Sequence, residues 1–195
     1  MHYRKSKLSR SIYRMRAGLV AVLAAGVSLT WAPWAQAAGT VQVSVKNGNL
    51  EIRGDDASNC IKITGKGGAG EYAIGGCDST LVNGGSSVPY SGVKYDLKFN
   101  MQGGNDTVII ADDDGDTVLD DLEINTGTGN DTVEVHHFAV LGEMHINTGS
   151  GNDLVIIDGV AARHSSQINT GSGIDYTVFG ALTPATAAAC PTATP

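Results

Sequence analysis

One stretch of sequence decides the fold, because it recurs at a nearly constant interval. Residues 122–135 read LEINTGTGNDTVEV, residues 144–157 read MHINTGSGNDLVII, and residues 166–179 read SQINTGSGIDYTVF. Residues 97–110, LKFNMQGGNDTVII, agree at most positions. The shared aspartates Asp106, Asp131, Asp153 and Asp175 are 25, 22 and 22 residues apart. Self-similarity at a fixed period indicates a repeat architecture.

Apolar residues alternate on both sides of a Gly-rich turn in every copy, as Leu122 and Ile124 before it and Val133 and Val135 after it. A period of two predicts strands with one buried face. One coil cannot bury that face alone, whereas stacked coils share a core. We therefore predict an all-β, right-handed parallel β-solenoid (β-helix or β-roll-like) of about six coils of about 22–25 residues, over residues 38–180. An antiparallel sandwich is the alternative, but it does not explain the constant period.

Stacking would align equivalent side chains in columns. The predicted columns are Phe99/Ile124/Ile146/Ile168, Val108/Val133/Val155/Thr177, Ile110/Val135/Ile157/Phe179 and an asparagine ladder, Asn100/Asn125/Asn147/Asn169. A weaker copy at residues 50–63 carries Asn59 in place of the aspartate, and residues 64–96 are expected to hold a degenerate coil and a loop.

The charges divide the chain into a leader and a mature part. Six basic residues precede residue 17, and no charged residue lies between Ala17 and Val45. An apolar run then leads to the small-residue site Ala35-Gln36-Ala37, a pattern typical of a secretory signal peptide over residues 1–37. We expect the product to be secreted, periplasmic or at the surface of a bacterial cell, with no membrane span after cleavage and a low-complexity tail at residues 181–195.

Removal of that leader leaves seven basic residues against all twenty acidic ones, a net charge of −13. Such an acidic chain is not expected to bind nucleic acid, because it repels phosphate. Cys60, Cys77 and Cys190 all remain, so one pair can form a disulfide and one cysteine is left over. Cys60 with Cys77 would close a short loop, and Cys190 could pair with either of them or with a second chain.

The turn residues 127–133, GTGNDTV, recur as GSGNDLV at residues 149–155. This G-x-G-x-D-x-apolar pattern resembles the hemolysin-type (RTX) calcium-binding repeat, over roughly residues 97 to 179. It departs from the family in having Thr126, Thr148 and Thr170 in place of the first glycine, and one motif per coil. In that family calcium lies between stacked turns, held by aspartate carboxylates and loop carbonyls. The resemblance implies Ca²⁺ ligands among Asp106, Asp131, Asp153, Asp175, Asn130, Asn152, Gly127, Gly129, Gly149 and Gly151.

Strand spacing supports the same ion independently of the resemblance. Neighbouring strands lie about 4.7–4.9 Å apart, so the aspartates would form a column of like charges. Two such charges about 4 Å apart cost about 1 kcal/mol in water and about 4 kcal/mol at a protein-like dielectric. A hard divalent cation relieves this repulsion. Alternatively, each aspartate caps its own turn by accepting backbone N–H bonds.

A second candidate cation site lies in the longer coil. Residues 112–123, DDDGDTVLDDLE, place oxygens as an EF-hand loop does, although Thr117 stands where that loop has glycine. Its candidate ligands are Asp112, Asp114, Asp116, Asp120 and Glu123. Glu123 would otherwise face solvent beside Lys98 and His145. A solvated acidic loop is the alternative reading of this segment.

These observations predict an exported calcium-binding module that binds extracellular polysaccharide or a surface protein. No catalytic set is apparent: the histidines share no face, and no nucleophile motif occurs. Two alternatives remain open, a polysaccharide-active lyase or hydrolase using Lys98 and Arg163, and a metal-free structural coil.

Overall fold

The computed structural model describes residues 39–66, 68, 70–112 and 118–180. Their regular elements are seventeen β-strands and no helix, which confirms the all-β prediction. The strands are β1 (Thr40–Lys46), β2 (Asn49–Arg53), β3 (Cys60–Gly65), β4 (Tyr72–Cys77), β5 (Leu81–Val82), β6 (Ser87–Tyr90), β7 (Leu97–Asn100), β8 (Thr107–Ala111), β9 (Val118–Leu119), β10 (Leu122–Asn125), β11 (Thr132–His136), β12 (Ala139–Val140), β13 (Met144–Asn147), β14 (Leu154–Asp158), β15 (Ala161–Ala162), β16 (Ser166–Asn169) and β17 (Tyr176–Phe179). In this part of the chain, no helix could span a membrane.

Parallel strands stack in register into a β-solenoid. The first sheet contains β2, β7, β10, β13 and β16, and the second contains β3, β8, β11, β14 and β17, each pairing in parallel with the next. A third, short sheet contains β9, β12 and β15. About three turns are complete, since three strands contribute to the third sheet, and the predicted count of six is not confirmed.

The predicted apolar columns exist. Ile124 pairs with Ile146, and Val133 pairs with Val155, as the repeat alignment requires. These residues are buried, and Phe99, Val108 and Ile110 complete the columns towards the N-terminus. The last members differ, because no further turn of the described residues covers them: Ile168 is half-buried, whereas Thr177 and Phe179 are exposed.

The N-terminal end does not contain the predicted degenerate coil. Instead, β3 and β4 form an antiparallel hairpin, and β6 pairs antiparallel with β4. On the first sheet β1 pairs antiparallel with β2 and covers its outer edge. A disulfide joins Cys60 to Cys77 across the β3–β4 hairpin, which settles one pairing. Cys190, the leader and the tail lie outside the described residues.

Candidate functional site

The Gly-rich corner links the first sheet to the second in successive turns, as between β10 and β11. Its glycines have positive φ, +133° at Gly129 and +138° at Gly151. Consecutive corners also approach closely, since a Cβ on Gly151 would overlap the carbonyl oxygen of Gly129. Both conditions favour glycine over every other residue.

Backbone hydrogen bonds join the corners from turn to turn. The N–H of Gly129 donates to the carbonyl oxygen of Ser150 over 2.8 Å, and the N–H of Ser150 donates to that of Gly127 over 3.0 Å. Gly151 and Ser172 repeat this pair one turn further on. The predicted glycine ligands therefore already use their peptide groups to hold the stack.

The aspartates form an ordered column inside the solenoid. The Oδ1 atom of Asp131 accepts the backbone N–H of Asp106 over 2.8 Å, and that of Asp153 accepts the N–H of Asp131 over 2.9 Å. Asp175 does the same for Asp153, and Asp106 for Asn59. One oxygen of every carboxyl thus accepts a backbone N–H from the preceding coil. This differs from the alternative to calcium, in which each aspartate was expected to cap its own Gly-rich turn.

In three of these carboxyls the second oxygen, Oδ2, is buried and does not take part in the hydrogen bonds between turns. Asp106, Asp131 and Asp153 are each 1% exposed, and the Oδ2 atom of each has no hydrogen-bond partner of good geometry. The Thr126 hydroxyl, which donates to the Thr148 carbonyl oxygen, is nevertheless close enough to the Asp131 carboxyl to lower its pKa in part. A buried ionised carboxylate is costly without a partner. Burial, aided by the neighbouring Asp131, raises the pKa of Asp106 to about 7. Burial also raises the pKa of Asp131.

Asparagines form a ladder, but not at the predicted positions. The Oδ1 atom of Asn105 accepts the backbone N–H of Asn130, and that of Asn130 accepts the N–H of Asn152, each over 2.8 Å. The predicted column of Asn100, Asn125, Asn147 and Asn169 lies exposed at strand ends. Asn130 and Asn152, predicted as ligands, therefore act through their side chains as links between turns.

Threonines line the inner side of the same corner. Thr126 and Thr148 are fully buried, and their hydroxyls donate to the carbonyl oxygens of Thr148 and Thr170 over 3.1 and 3.2 Å. These are the positions where the resemblance expected glycine. The sequence alignment already contained this column, but we interpreted it only as a departure from the family motif.

The acidic segment at residues 112–123 is described at its ends. Asp112 is buried and Asp120 is exposed. Glu123 is exposed and lies 3.6 Å from the Lys98 ammonium. Asp114 and Asp116 lie outside the described residues. The solvent-facing position expected for Glu123 is confirmed.

Lys98 and two histidines of the described surface lie beside carboxylates of neighbouring residues. Lys98 lies 3.3 Å from Asp96, and hydrogen bonding to Asp96 raises the pKa of Lys98. His136 lies 3.3 Å from Glu134, and His145 lies 3.4 Å from Glu143. Arg163, the other candidate for a catalytic groove, is exposed at the end of β15.

The buried aspartates come one from each consecutive turn, so neighbouring carboxyls form pairs between turns. Within the described ranges, no three His, Cys, Asp or Glu side chains are grouped as a metal site. A site between two turns would therefore combine two carboxylates with neutral oxygens, which Ca²⁺ readily accepts. Comparison of the chain with protein-family models, curated proteins and solved structures finds no match to any of them.

Proposed function

We propose that this chain is an exported calcium-binding module built on a right-handed β-solenoid, in which Ca²⁺ stabilises the contact between successive turns. The observation that carries the proposal is the column of buried Oδ2 atoms without partners on Asp106, Asp131 and Asp153. Asp175 continues the column at the last turn. The biological role of the chain would be that of a surface or extracellular binding or matrix protein.

Two species can satisfy a buried carboxylate that lacks a partner: a proton or a cation. Protons suffice only below the raised pKa values of Asp106 and Asp131, and above them neighbouring carboxylates repel each other at strand spacing. A calcium ion would neutralise that charge at neutral pH. Extracellular sites often bind calcium with modest affinity, on the order of 10⁻⁴–10⁻³ M.

The residues present suit such an ion. Asp106, Asp131 and Asp153 offer hard carboxylate oxygens, and the corner offers carbonyl and hydroxyl oxygens around them. Each carbonyl retains a second lone pair after accepting one hydrogen bond. The ion would supply charge neutralisation and a link between turns, and by mass action it would stabilise the folded chain.

Thermal unfolding of the chain in EGTA and then in millimolar calcium tests this proposal. We expect calcium to raise the melting temperature, and Asp131→Asn with Asp153→Asn to abolish the increase. Asparagine keeps the Oδ1 acceptor that each neighbouring backbone N–H requires, as Asn59 shows that an amide fits this column. The doubly substituted chain should therefore still fold.

Asp56→Asn with Glu143→Gln provides the matched control, because it also removes two negative charges but at solvent-exposed positions. This variant should keep the full calcium response. Asp120→Asn with Glu123→Gln separately tests the acidic segment. If the wild-type melting temperature is the same in EGTA and in calcium, the metal-free structural coil is the better description.

A further inference from the structure

The two ends of the solenoid are built differently. At the N-terminal end the outermost strands are β5, which has only two residues, and β6, which contains Pro89. Short strands and proline are devices that prevent edge-to-edge pairing. At the other end β16 and β17 are the last strands of the first and second sheets, and no strand of the described chain covers them.

The uncovered end is apolar. Ile174, Tyr176 and Phe179 are 68%, 66% and 70% exposed. A cavity of about 440 Å³ opens beside Phe179, and Met144, Ile157 and Ile168 also line it. Large exposed apolar groups that lie together mark interaction surfaces.

The terminal turn also lacks the charge found elsewhere in this acidic chain. Residues 165–180 contain one charged residue, Asp175, whereas residues 121–143 contain five acidic residues and no lysine or arginine. Two copies of the chain would repel each other through most of their surfaces. At the terminal turn this repulsion is weakest, and the edge carries no lysine or proline to prevent pairing.

We propose that this end is a homotypic interface, in which two copies join through their last turns about a two-fold axis. A head-to-tail arrangement is disfavoured, because the N-terminal edge is short and contains proline. Two identical ends related by a two-fold axis present their edge strands antiparallel to each other. The interface would use the backbone groups of β16 and β17 together with Ile168, Tyr176 and Phe179.

The odd cysteine provides an independent readout of this arrangement. Because Cys60 is joined to Cys77, Cys190 is the remaining cysteine of the three. It follows Gly180, the last described residue, by ten positions, so it lies within about 35 Å of the open end even along a fully extended chain. Two copies joined at this end would bring their Cys190 residues within mutual reach.

Sedimentation of the mature chain under reducing conditions tests the interface. We expect a mass of two chains at micromolar concentrations. The double substitution Tyr176→Lys with Phe179→Lys should raise the dissociation constant of the dimer about a hundredfold, because like charges then face each other. Both side chains are exposed in a single copy, so the variant should fold. Tyr95→Lys with Leu141→Lys, at exposed apolar positions of other turns, should leave the mass unchanged.

Under oxidising conditions, the wild type should form a Cys190-linked dimer that the Tyr176→Lys, Phe179→Lys variant forms much more slowly. Cys190→Ser should retain the non-covalent dimer. A monomer throughout the concentration range would overturn the proposal. So would a Tyr95→Lys, Leu141→Lys control whose dimer dissociates as readily as that of the Tyr176→Lys, Phe179→Lys variant. A third result would also overturn it: the amides of β16 are protected from hydrogen exchange in a monomer, and this protection is lost when residues 181–195 are deleted. The tail of the same chain would then be the segment that covers this end.

Discussion

Replacing Gly151 by alanine should reduce the free energy of unfolding by about 4 kcal/mol, a large part of the total stability of a domain of this size. Two effects add at this position. A φ of +138° disfavours any residue with a Cβ. The new methyl group would also overlap the carbonyl oxygen of Gly129 in the preceding turn, so the two turns would have to separate and weaken the hydrogen bonds between their corners.

Gly84→Ala is the matched control for this prediction. Gly84 also has a positive φ, +80°, but a Cβ there would meet no atom within 4 Å. The Gly84→Ala variant should lose only about 1–2 kcal/mol of unfolding free energy, which is the cost of placing alanine in this backbone conformation. Chemical denaturation of both variants gives the comparison, and equal losses would show that the close approach of the corners does not contribute to stability.

The metal-free protein should become less stable as the pH rises from about 4 to about 7. Burial raises the pKa of Asp106 from 3.8 to about 7. In that interval the folded chain therefore holds a proton that the unfolded chain has released, so the free energy of unfolding falls as the pH rises. A shift of this size corresponds to at most about 4 kcal/mol, at 1.36 kcal/mol for each pKa unit.

Denaturation in EGTA across this pH range measures the effect, with Asp106→Asn as the comparison. The asparagine variant retains an acceptor for the Asn59 N–H but cannot titrate. The difference in unfolding free energy between wild type and variant should therefore change with pH in the direction given. Calcium should reduce the loss at neutral pH, because cation binding is favoured where the carboxyls have released their protons. Parallel pH profiles for the two proteins would show that Asp106 titrates normally.

The sequence predicted the stacked part of the fold because a repeat carries its own register. Once Asp131 aligns with Asp153, the pairing of Val133 with Val155 follows, and the structure has that pairing. The apolar columns were predictable for the same reason. Only the last turn departs from them, since no turn in the described part of the chain lies above Phe179.

The N-terminal hairpins were missed because we extended the period through residues 64–96. The Gly-rich segment at residues 67–70, between alternating strands that include Ile63 and Ile74, is a hairpin signal. The 47-residue gap between Ile61 and Val108 is close to two periods, which suggested one intervening degenerate coil and a loop and concealed that signal. The structure instead places β3 beside β8, so these residues are consecutive members of one stack.

The candidate site was predictable in composition but not in orientation. Spacing indicated that Asp106, Asp131 and Asp153 would stack, yet no pattern in the sequence shows whether a corner side chain faces solvent or the core. Their burial changes the chemistry, because each carboxyl gives Oδ1 to a backbone N–H and leaves Oδ2 without a partner. The asparagine ladder was assigned to strand ends, although Asn105 and Asn130 align equally well in the repeat.

Crystals of residues 38–195 grown in calcium, with anomalous difference maps, test the central claim most directly. We expect anomalous peaks beside the Oδ2 atoms of Asp106, Asp131 and Asp153, between consecutive turns, and no peaks there in crystals of the Asp131→Asn, Asp153→Asn variant. Well-ordered wild-type crystals in which this column shows no peak at neutral pH would contradict the claim that these carboxylates bind calcium.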